Sequence, residues 1–169
     1  PLLGANPDWT YTGTKDLANL GWSIANAGDV NGDGYEDLIA GGFNYENGEA
    51  SEGQALLVYG SPTGPSNPAG WTVEGNETSA GLGFAVTGGG DLDGDGFDDI
   101  AVGAPFASGG GSGRGVVRVY KGSALGPATV PWVTLSGGQD AADFGLECVI
   151  VGDIDRDGYD DLVVGAPFH

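Results

Sequence analysis

The sequence predicts an all-β protein made of repeated units of four antiparallel strands, and three observations support this fold class. Three acidic stretches of nine residues begin at Asp29, Asp91 and Asp153, so both intervals are 62 residues. Each unit contains short apolar runs bounded by Gly or Pro, which is the pattern of strands and turns. No segment sustains a helical period of apolar residues. A repeat of this length with four strands favours a β-propeller blade over a sandwich.

The strands can be placed along each unit from its apolar runs. The first strand precedes the acidic stretch, as in WSIANAG, FAVTGGG and LECVIVG, and the second follows it, as in DLIAGG, DIAVGAP and DLVVGAP. The third lies in QALLVYGS and VVRVYKGS, and the fourth in WTV and WVTL. Continuous apolar runs such as 162–164 favour a sheet buried on both faces, as in stacked blades. Because consecutive strands run antiparallel, we expect the acidic 1–2 loops and the 3–4 turns at one end of the blades, and the 2–3 and 4–1 loops at the other.

We interpret residues 1–169 as a single propeller segment with an incomplete ring. Its units lie at about 1–62, 63–124 and 125–169, which is about 2.7 repeats with the last one truncated. A fourth-type strand near Trp9, two complete blades and two strands of a third give an expected total of eleven strands. Four blades are the usual minimum for a closed ring. The open edges therefore predict a homodimer, a longer propeller that includes this segment, or a truncated form.

Composition favours a packed, cation-binding protein. The chain has 35 Gly and 9 Pro, but 40% of its residues are hydrophobic and four are Trp, which favours a core over disorder. A net charge of −19 disfavours nucleic acid and anionic membrane surfaces as partners. No apolar run approaches 18 residues, so membrane insertion is not expected. The lone Cys148 can form no intramolecular disulfide and is expected to be a small buried hydrophobe.

The acidic stretches follow the pattern D-x-[DN]-x-D-G-x-x-D, which places side-chain oxygens at positions 1, 3, 5 and 9. We expect these side chains, with the backbone carbonyl at position 7, to bind a metal ion, because a glycine at position 6 permits the sharp turn that wraps the chain around it. The candidate ligands are Asp29, Asn31, Asp33, Tyr35 and Asp37 in the first loop, Asp91, Asp93, Asp95, Phe97 and Asp99 in the second, and Asp153, Asp155, Asp157, Tyr159 and Asp161 in the third.

At least five oxygen ligands per loop predict three Ca²⁺ sites. A bidentate Asp or a water would complete the six to eight ligands that Ca²⁺ prefers, whereas Mg²⁺ demands a tight octahedron and is the weaker candidate. Zinc and redox metals are disfavoured because no loop contains His or Cys. Position 12 is Ala40, Val102 or Val164 and a strand follows, so the loops lack the Glu and the exit helix of an EF-hand. The ion is therefore expected to be structural.

The three loops are not equivalent. Asn31 replaces an Asp, so the first loop carries one charge fewer and should bind its ion more weakly. Arg156 occupies position 4 of the third loop, where the others have Gly, and its side chain is expected to point outward. Asp98, at position 8 of the second loop, is not a ligand in this scheme and is expected to be bystander charge.

The repeats also carry paired Phe-Gly and Gly-Ala-Pro signatures. The motifs are Phe144-Gly145, Gly103-Ala104-Pro105 and Gly165-Ala166-Pro167, with Leu20-Gly21 and Leu82-Gly83 standing in for Phe-Gly and Gly41-Gly42-Phe43 departing from Gly-Ala-Pro. Over nearly its whole length the chain resembles FG-GAP repeats, the blades of the integrin α-subunit propeller and its bacterial relatives. The resemblance implies a ring of seven blades in a longer protein. It also implies that partners bind mainly at the end opposite the acidic loops, where Tyr45, Glu46 and Arg114 are candidates.

We therefore expect a calcium-stabilised module for binding or adhesion, located outside the cytoplasm: extracellular, periplasmic or at the cell surface. Its partner would be a protein or a glycan. Enzymatic activity is not expected, because the only histidine is His169 and no Ser-His or Cys-His pair can form inside the fold. Two alternatives stay open. One is a propeller enzyme acting on polysaccharide, with Glu74 and Glu147 as a conceivable carboxylate pair, and the other is a purely architectural fragment that assembles with itself.

Overall fold

The computed structural model describes residues 8–168 and confirms an all-β fold of antiparallel blades. Two sheets have four strands each and a third has two, and within each sheet consecutive strands are hydrogen-bonded neighbours. The strands are β1 (Ser23–Gly28), β2 (Asp37–Gly42), β3 (Gln54–Val58), β4 (Trp71–Glu74), β5 (Val86–Gly90), β6 (Asp99–Ala104), β7 (Val116–Tyr120), β8 (Val133–Ser136), β9 (Cys148–Val151) and β10 (Asp161–Val164). Every strand pair within these sheets is antiparallel.

The three sheets stack face to face as propeller blades do. Their first strands, β1, β5 and β9, contact one another in order. The largest core cluster lies between the first and second sheets, where Trp71 packs edge-on against Tyr120 with ring centroids 5.1 Å apart. A second cluster joins the second and third sheets, with Val117 and Val119 packed against Leu162. Apolar side chains that an isolated sheet would expose are thus buried between neighbours.

Glycines of the paired sequence motifs allow the blades to approach backbone to backbone. A β-carbon placed on Gly41 would overlap the carbonyl oxygen of Gly83 in the next sheet, and one on Gly103 would overlap that of Gly145. Only glycine leaves room for this contact. A glycine near the end of the second strand of one blade therefore meets the glycine just before the first strand of the next.

The expected arrangement of loops at the two ends is observed. At one end the acidic loops contact the 3–4 turns, since Asp37 Oδ1 accepts a hydrogen bond from Gly60 N and Asp99 Oδ1 accepts one from Gly122 N, both at 2.9 Å. At the other end the 2–3 and 4–1 loops meet, and Arg114 Nε donates to Asp140 Oδ1 at 2.7 Å.

The prediction of an eleventh strand near Trp9 is wrong. Residues 8–168 form ten strands, and none of them includes Trp9. Trp9 and Tyr11 instead pack by their side chains on the outer face of the first sheet, against a cluster that includes Leu56 and Val58. The segment has no neighbouring third strand of its own blade in the described chain. Without that partner its backbone forms no ladder of hydrogen bonds.

The expectation that 162–164 lie in a sheet buried on both faces is also wrong. All six residues of β6 are buried, whereas those of β10 are half-buried or exposed. A blade covers each face of β6, but only one face of β10 is covered in the described chain. The apolar run indicates a strand suited to stacking, and the neighbouring blade decides whether it is buried.

Candidate metal centres

The first Asp of each acidic loop organises the turn that follows it. Its two oxygens accept hydrogen bonds from the backbone N–H groups at positions 5 and 6, at 2.8–3.1 Å in all three loops. The glycines at position 6 have φ values of 87°, 91° and 99°, a conformation that side chains other than glycine's rarely adopt. Burial raises the pKa of Asp91, but hydrogen bonds from backbone N–H groups, that of Gly96 first, outweigh it and lower the pKa overall.

The last Asp of the first and second loops is buried. Asp37 is 2% exposed and Asp99 is fully buried. The Oδ2 atoms accept from Val30 N at 3.1 Å and Leu92 N at 2.9 Å. Burial raises the pKa of both carboxyls to about 6, opposed by backbone hydrogen bonds and assisted by neighbouring carboxylates. A buried carboxylate among other carboxylates is costly when charged, and a bound cation would remove that penalty.

Carboxylates at positions 1, 3 and 9 converge. In the second loop Asp91, Asp93 and Asp99 each offer an oxygen within 4.8 Å of the other two, and in the third loop Asp153, Asp155 and Asp161 do the same. These hard oxygen donors, close together on one turn, fit Ca²⁺. The first loop has Asn31 at the middle position, so its charge is lower by one.

The carboxylates at position 5, and the last Asp of the third loop, accept hydrogen bonds from backbone N–H groups of their own loops. The position 5 carboxylates of Asp33, Asp95 and Asp157 lie outside the three-carboxylate clusters. Each accepts a hydrogen bond from the backbone N–H at position 7, that of Tyr35, Phe97 or Tyr159, at 3.0–3.1 Å. Asp161 differs from Asp37 and Asp99 because it is only half-buried and accepts from Ile154 N, with no 3–4 turn beside it in the described chain.

The aromatic ring at position 7 packs on the preceding loop. The Phe97 ring covers Gly32, and the Tyr159 ring covers Gly94, so that a β-carbon on either glycine would collide with the ring. Arg156 occupies the corresponding position of the third loop, where the described chain supplies no following ring. Its side chain is exposed, as expected, and its φ is 65°.

Sequence reasoning was wrong about Asp98, which links two blades. Asp98 Oδ2 accepts a hydrogen bond from Asp29 N at 2.7 Å, and Asp160 Oδ2 accepts one from Asp91 N at 3.0 Å. In return, Asp160 N donates to Asp91 O at 3.0 Å. The carboxylate at position 8 thus holds the first ligand residue of the preceding loop. An acidic residue at position 8 in all three copies, with Glu36 in the first, was the signal that could have revealed this role.

Other residues singled out from the sequence lie away from these loops. Cys148 is buried, as expected, and burial raises the pKa of its thiol to about 12. Glu74 and Glu147 line two separate clefts. Tyr45 is buried, so it presents little surface to a partner.

Stacked four-stranded antiparallel blades with an acidic loop between their first two strands define a β-propeller repeat protein. The model of the FG-GAP repeat matches residues 20–59, 82–120 and 149–169, and the chain belongs to this family. Integrin alpha-V of Gallus gallus is 38% identical over 167 residues, covering 94% of this chain and 16% of that protein. Integrin alpha-PS2 of Drosophila melanogaster is 36% identical, covering 94% and 12%.

A relative whose name is that of an enzyme also matches. Phosphatidylinositol-glycan-specific phospholipase D of Rattus norvegicus is 34% identical over 177 residues, covering 97% of this chain and 20% of that protein. The chain thus spans a fifth or less of the length of these three relatives. Within residues 8–168 no helix is long and apolar enough to cross a membrane.

Proposed function

We propose that this propeller segment binds Ca²⁺ in its three acidic loops and that the ions stabilise the blades. The observation that carries the proposal is the buried carboxylate of Asp99, which shares a cluster with Asp91 and Asp93. Three carboxylates this close repel one another, and their repulsion destabilises the folded chain at neutral pH. A divalent cation converts that repulsion into attraction.

The expected effect of the ion is to tie together several parts of the chain. Its ligands would come from both ends of the 1–2 loop, so the ion would close the hairpin of the first two strands. Asp99 also holds the 3–4 turn through Gly122, and Asp160 holds the backbone of Asp91 from the next blade. An ion in the loop would therefore strengthen contacts within and between blades.

Thermal unfolding in EDTA and in increasing Ca²⁺ tests this function. Stability should rise with the logarithm of the Ca²⁺ concentration above the dissociation constant, and Mg²⁺ at equal concentration should have a smaller effect. Asp99→Asn should remove part of the Ca²⁺ response. Asp16→Asn, an exposed acid at the opposite end, is the matched control and should leave the response unchanged. Identical melting of the parent protein in EDTA and in millimolar Ca²⁺ would defeat the proposal.

We further propose that the end opposite the acidic loops binds a protein or glycan in an adhesion role. Trp22, Phe43, Phe84 and Phe106 form a continuous aromatic cluster there, with ring centroids 4.9–5.6 Å apart. Trp22 is 56% exposed and Phe106 is 43% exposed. Exposed aromatic surface of this kind is typical of binding sites.

Screening the calcium-loaded protein against glycan arrays and cell surfaces tests the binding role. Trp22→Ser should abolish capture, while Trp132→Ser, an exposed Trp at the other end, should not. Recovery of self-copies alone would favour the purely architectural alternative. Hydrolysis of a glycan, lost on changing a carboxylate outside the loops, would favour an enzyme, the alternative to which the phospholipase relative lends some support.

The outer face of the third sheet supports a proposal about assembly. A β-carbon on Gly165 would approach nothing closer than 3.6 Å, so the glycine contact seen at Gly103 is not made there in the described chain. We propose that further blades cover this face, from a second copy in a homodimer or from a longer propeller. A sedimentation profile of a stable monomer at micromolar concentration would exclude the homodimer.

We propose that the protein acts outside the cytoplasm, where calcium-binding modules have dissociation constants of about 10⁻⁴–10⁻³ M.

A further inference from the structure

A lysine lies at the second acidic loop. Lys121 follows β7, and its ammonium pairs with the carboxylate of Asp93, the position 3 residue of that loop. The ammonium also lies 4.2 Å from the centroid of the Trp132 ring, a cation–π contact. The Lys121 side chain is 35% exposed and that of Asp93 only 10%. The pair is therefore partly shielded from water and held from two sides.

Within residues 8–168 this arrangement is found at the second loop alone. The equivalent residue of the first blade, 62 positions earlier, is Tyr59, whose ring packs against Gly70 and Gly126 near the core between the blades. The third unit has no described strand that could carry an equivalent. The chain has only five Lys and Arg residues against 24 Asp and Glu, so a positive charge at this place is unusual for the sequence.

The ammonium holds one of the carboxylates that a metal ion would need. Lysine is protonated at physiological pH, so this ammonium carries a full positive charge beside the candidate ligands. An incoming divalent ion must displace the ammonium from Asp93 and then remain near a positive charge.

We propose that Lys121 is a tethered cation that competes with the metal ion for Asp93 and lowers the Ca²⁺ affinity of the second loop. The inference rests on the proposed calcium binding. Trp132 provides the ammonium with a place to stay once it has left the carboxylate. From the number of carboxylates alone, the second loop should bind Ca²⁺ more tightly than the first, because it has Asp93 where the first has Asn31. Lys121 offsets that gain in affinity.

The magnitude follows from simple electrostatics. Even with the dielectric constant of water, a divalent ion about 6 Å from a single positive charge loses about tenfold in affinity. Because the pair is partly shielded from water, removing the lysine charge should tighten the second loop by at least about tenfold. The first and third loops should change by less than twofold.

Site-resolved NMR titration with Ca²⁺ tests the inference without silencing any loop. The backbone amides of Gly34, Gly96 and Gly158, at position 6 of the three loops, report each site separately. In Lys121→Gln the Gly96 midpoint should fall by at least about tenfold. Lys121→Arg, which keeps the charge, should retain the parent midpoint. Lys15→Gln, which removes an exposed lysine charge at the opposite end, controls for net charge and should leave all midpoints within twofold.

The outcomes separate the two proposals. If Gly96 titrates in the parent protein and its midpoint is the same in Lys121→Gln, calcium binding stands and the competing lysine is refuted. If no loop glycine responds to Ca²⁺ in the parent protein or in Lys121→Gln, both proposals fail. An equal shift at Gly34 and Gly96 would show a general charge effect and would also overturn the role of Lys121.

Discussion

Replacing Asp98 by Ala should weaken the contact between the first two blades. The Asp98 carboxylate accepts a hydrogen bond of 2.7 Å from Asp29 N, in a partly buried setting. In Asp98→Ala the N–H of Asp29 loses its acceptor while the blades remain stacked. Asp29 is also the first residue of an acidic loop, so its backbone position affects the whole turn.

The size of the effect comes from two opposing contributions. A hydrogen bond to a charged group stabilises a protein by about 1.5–3 kcal/mol. Against this, burial raises the pKa of Asp98, and the charges of Glu36, Asp29 and Asp91 add to that effect. Keeping the carboxylate charged in the folded protein therefore costs free energy, and Asp98→Ala removes that cost. We expect a net loss of about 1.5 kcal/mol, or about 3–6 °C in Tm for a chain of this size.

Urea unfolding in EDTA, analysed by linear extrapolation, measures this loss. Glu36→Ala is the matched control. Glu36 occupies position 8 of the first loop, is exposed and, among the described residues, accepts a hydrogen bond from Asn26 Nδ2 alone, at 2.8 Å. It should change the free energy of unfolding by less than about 0.5 kcal/mol. Equal effects of the two substitutions would refute the inter-blade role of position 8.

Three further outcomes are expected. Gly103→Ala should destabilise by about 1–3 kcal/mol in thermal unfolding, because its β-carbon would collide with the Gly145 carbonyl, whereas Gly165→Ala should be close to neutral; equal effects would contradict this contact. Arg156→Gly should be more stable than Arg156→Ala by about 1 kcal/mol in urea, since φ is 65° there and only glycine adopts it without strain; the reverse order would contradict it. Burial raises the pKa of Asp37 and Asp99 to about 6, above the 3.8 of an unfolded Asp, so the folded state binds these protons more tightly than the unfolded state does. The calcium-free protein should therefore lose stability as pH rises from about 4 to about 6, by on the order of 3 kcal/mol for each residue. Above about pH 6 its stability should level off. Urea midpoints in EDTA at pH 4.5 and 7 measure that loss, and a higher midpoint at pH 7 would contradict it.

Much of the fold could be predicted from the sequence because the information is local and repeated. Apolar runs bounded by glycine specify strands, and three copies in register specify blades. The candidate ligands are close in sequence, so a single turn brings positions 1, 3 and 9 together in the second and third loops. The turn itself depends on a glycine at position 6 and on hydrogen bonds within nine residues.

Contacts between blades could not be read in this way, because they join residues far apart in the chain. Asp98 meets Asp29 across 69 residues, and Lys121 reaches Asp93 only because the 3–4 turn folds back onto the 1–2 loop. A one-dimensional pattern shows that position 8 is acidic in every copy, but not which group it faces.

Burial separates most clearly what the local sequence determines from what the packing of neighbouring blades determines. β6 begins with DIAV and β10 reads DLVV, yet β6 is buried throughout and β10 is not. In the same way Asp99 is buried while Asp161 is half-exposed. Local sequence decides that each segment becomes a strand after an acidic turn, since strand and turn formation depend on neighbouring residues. Whether that strand is buried, and how strongly its carboxylate is driven toward a cation, depends on the blade stacked beside it.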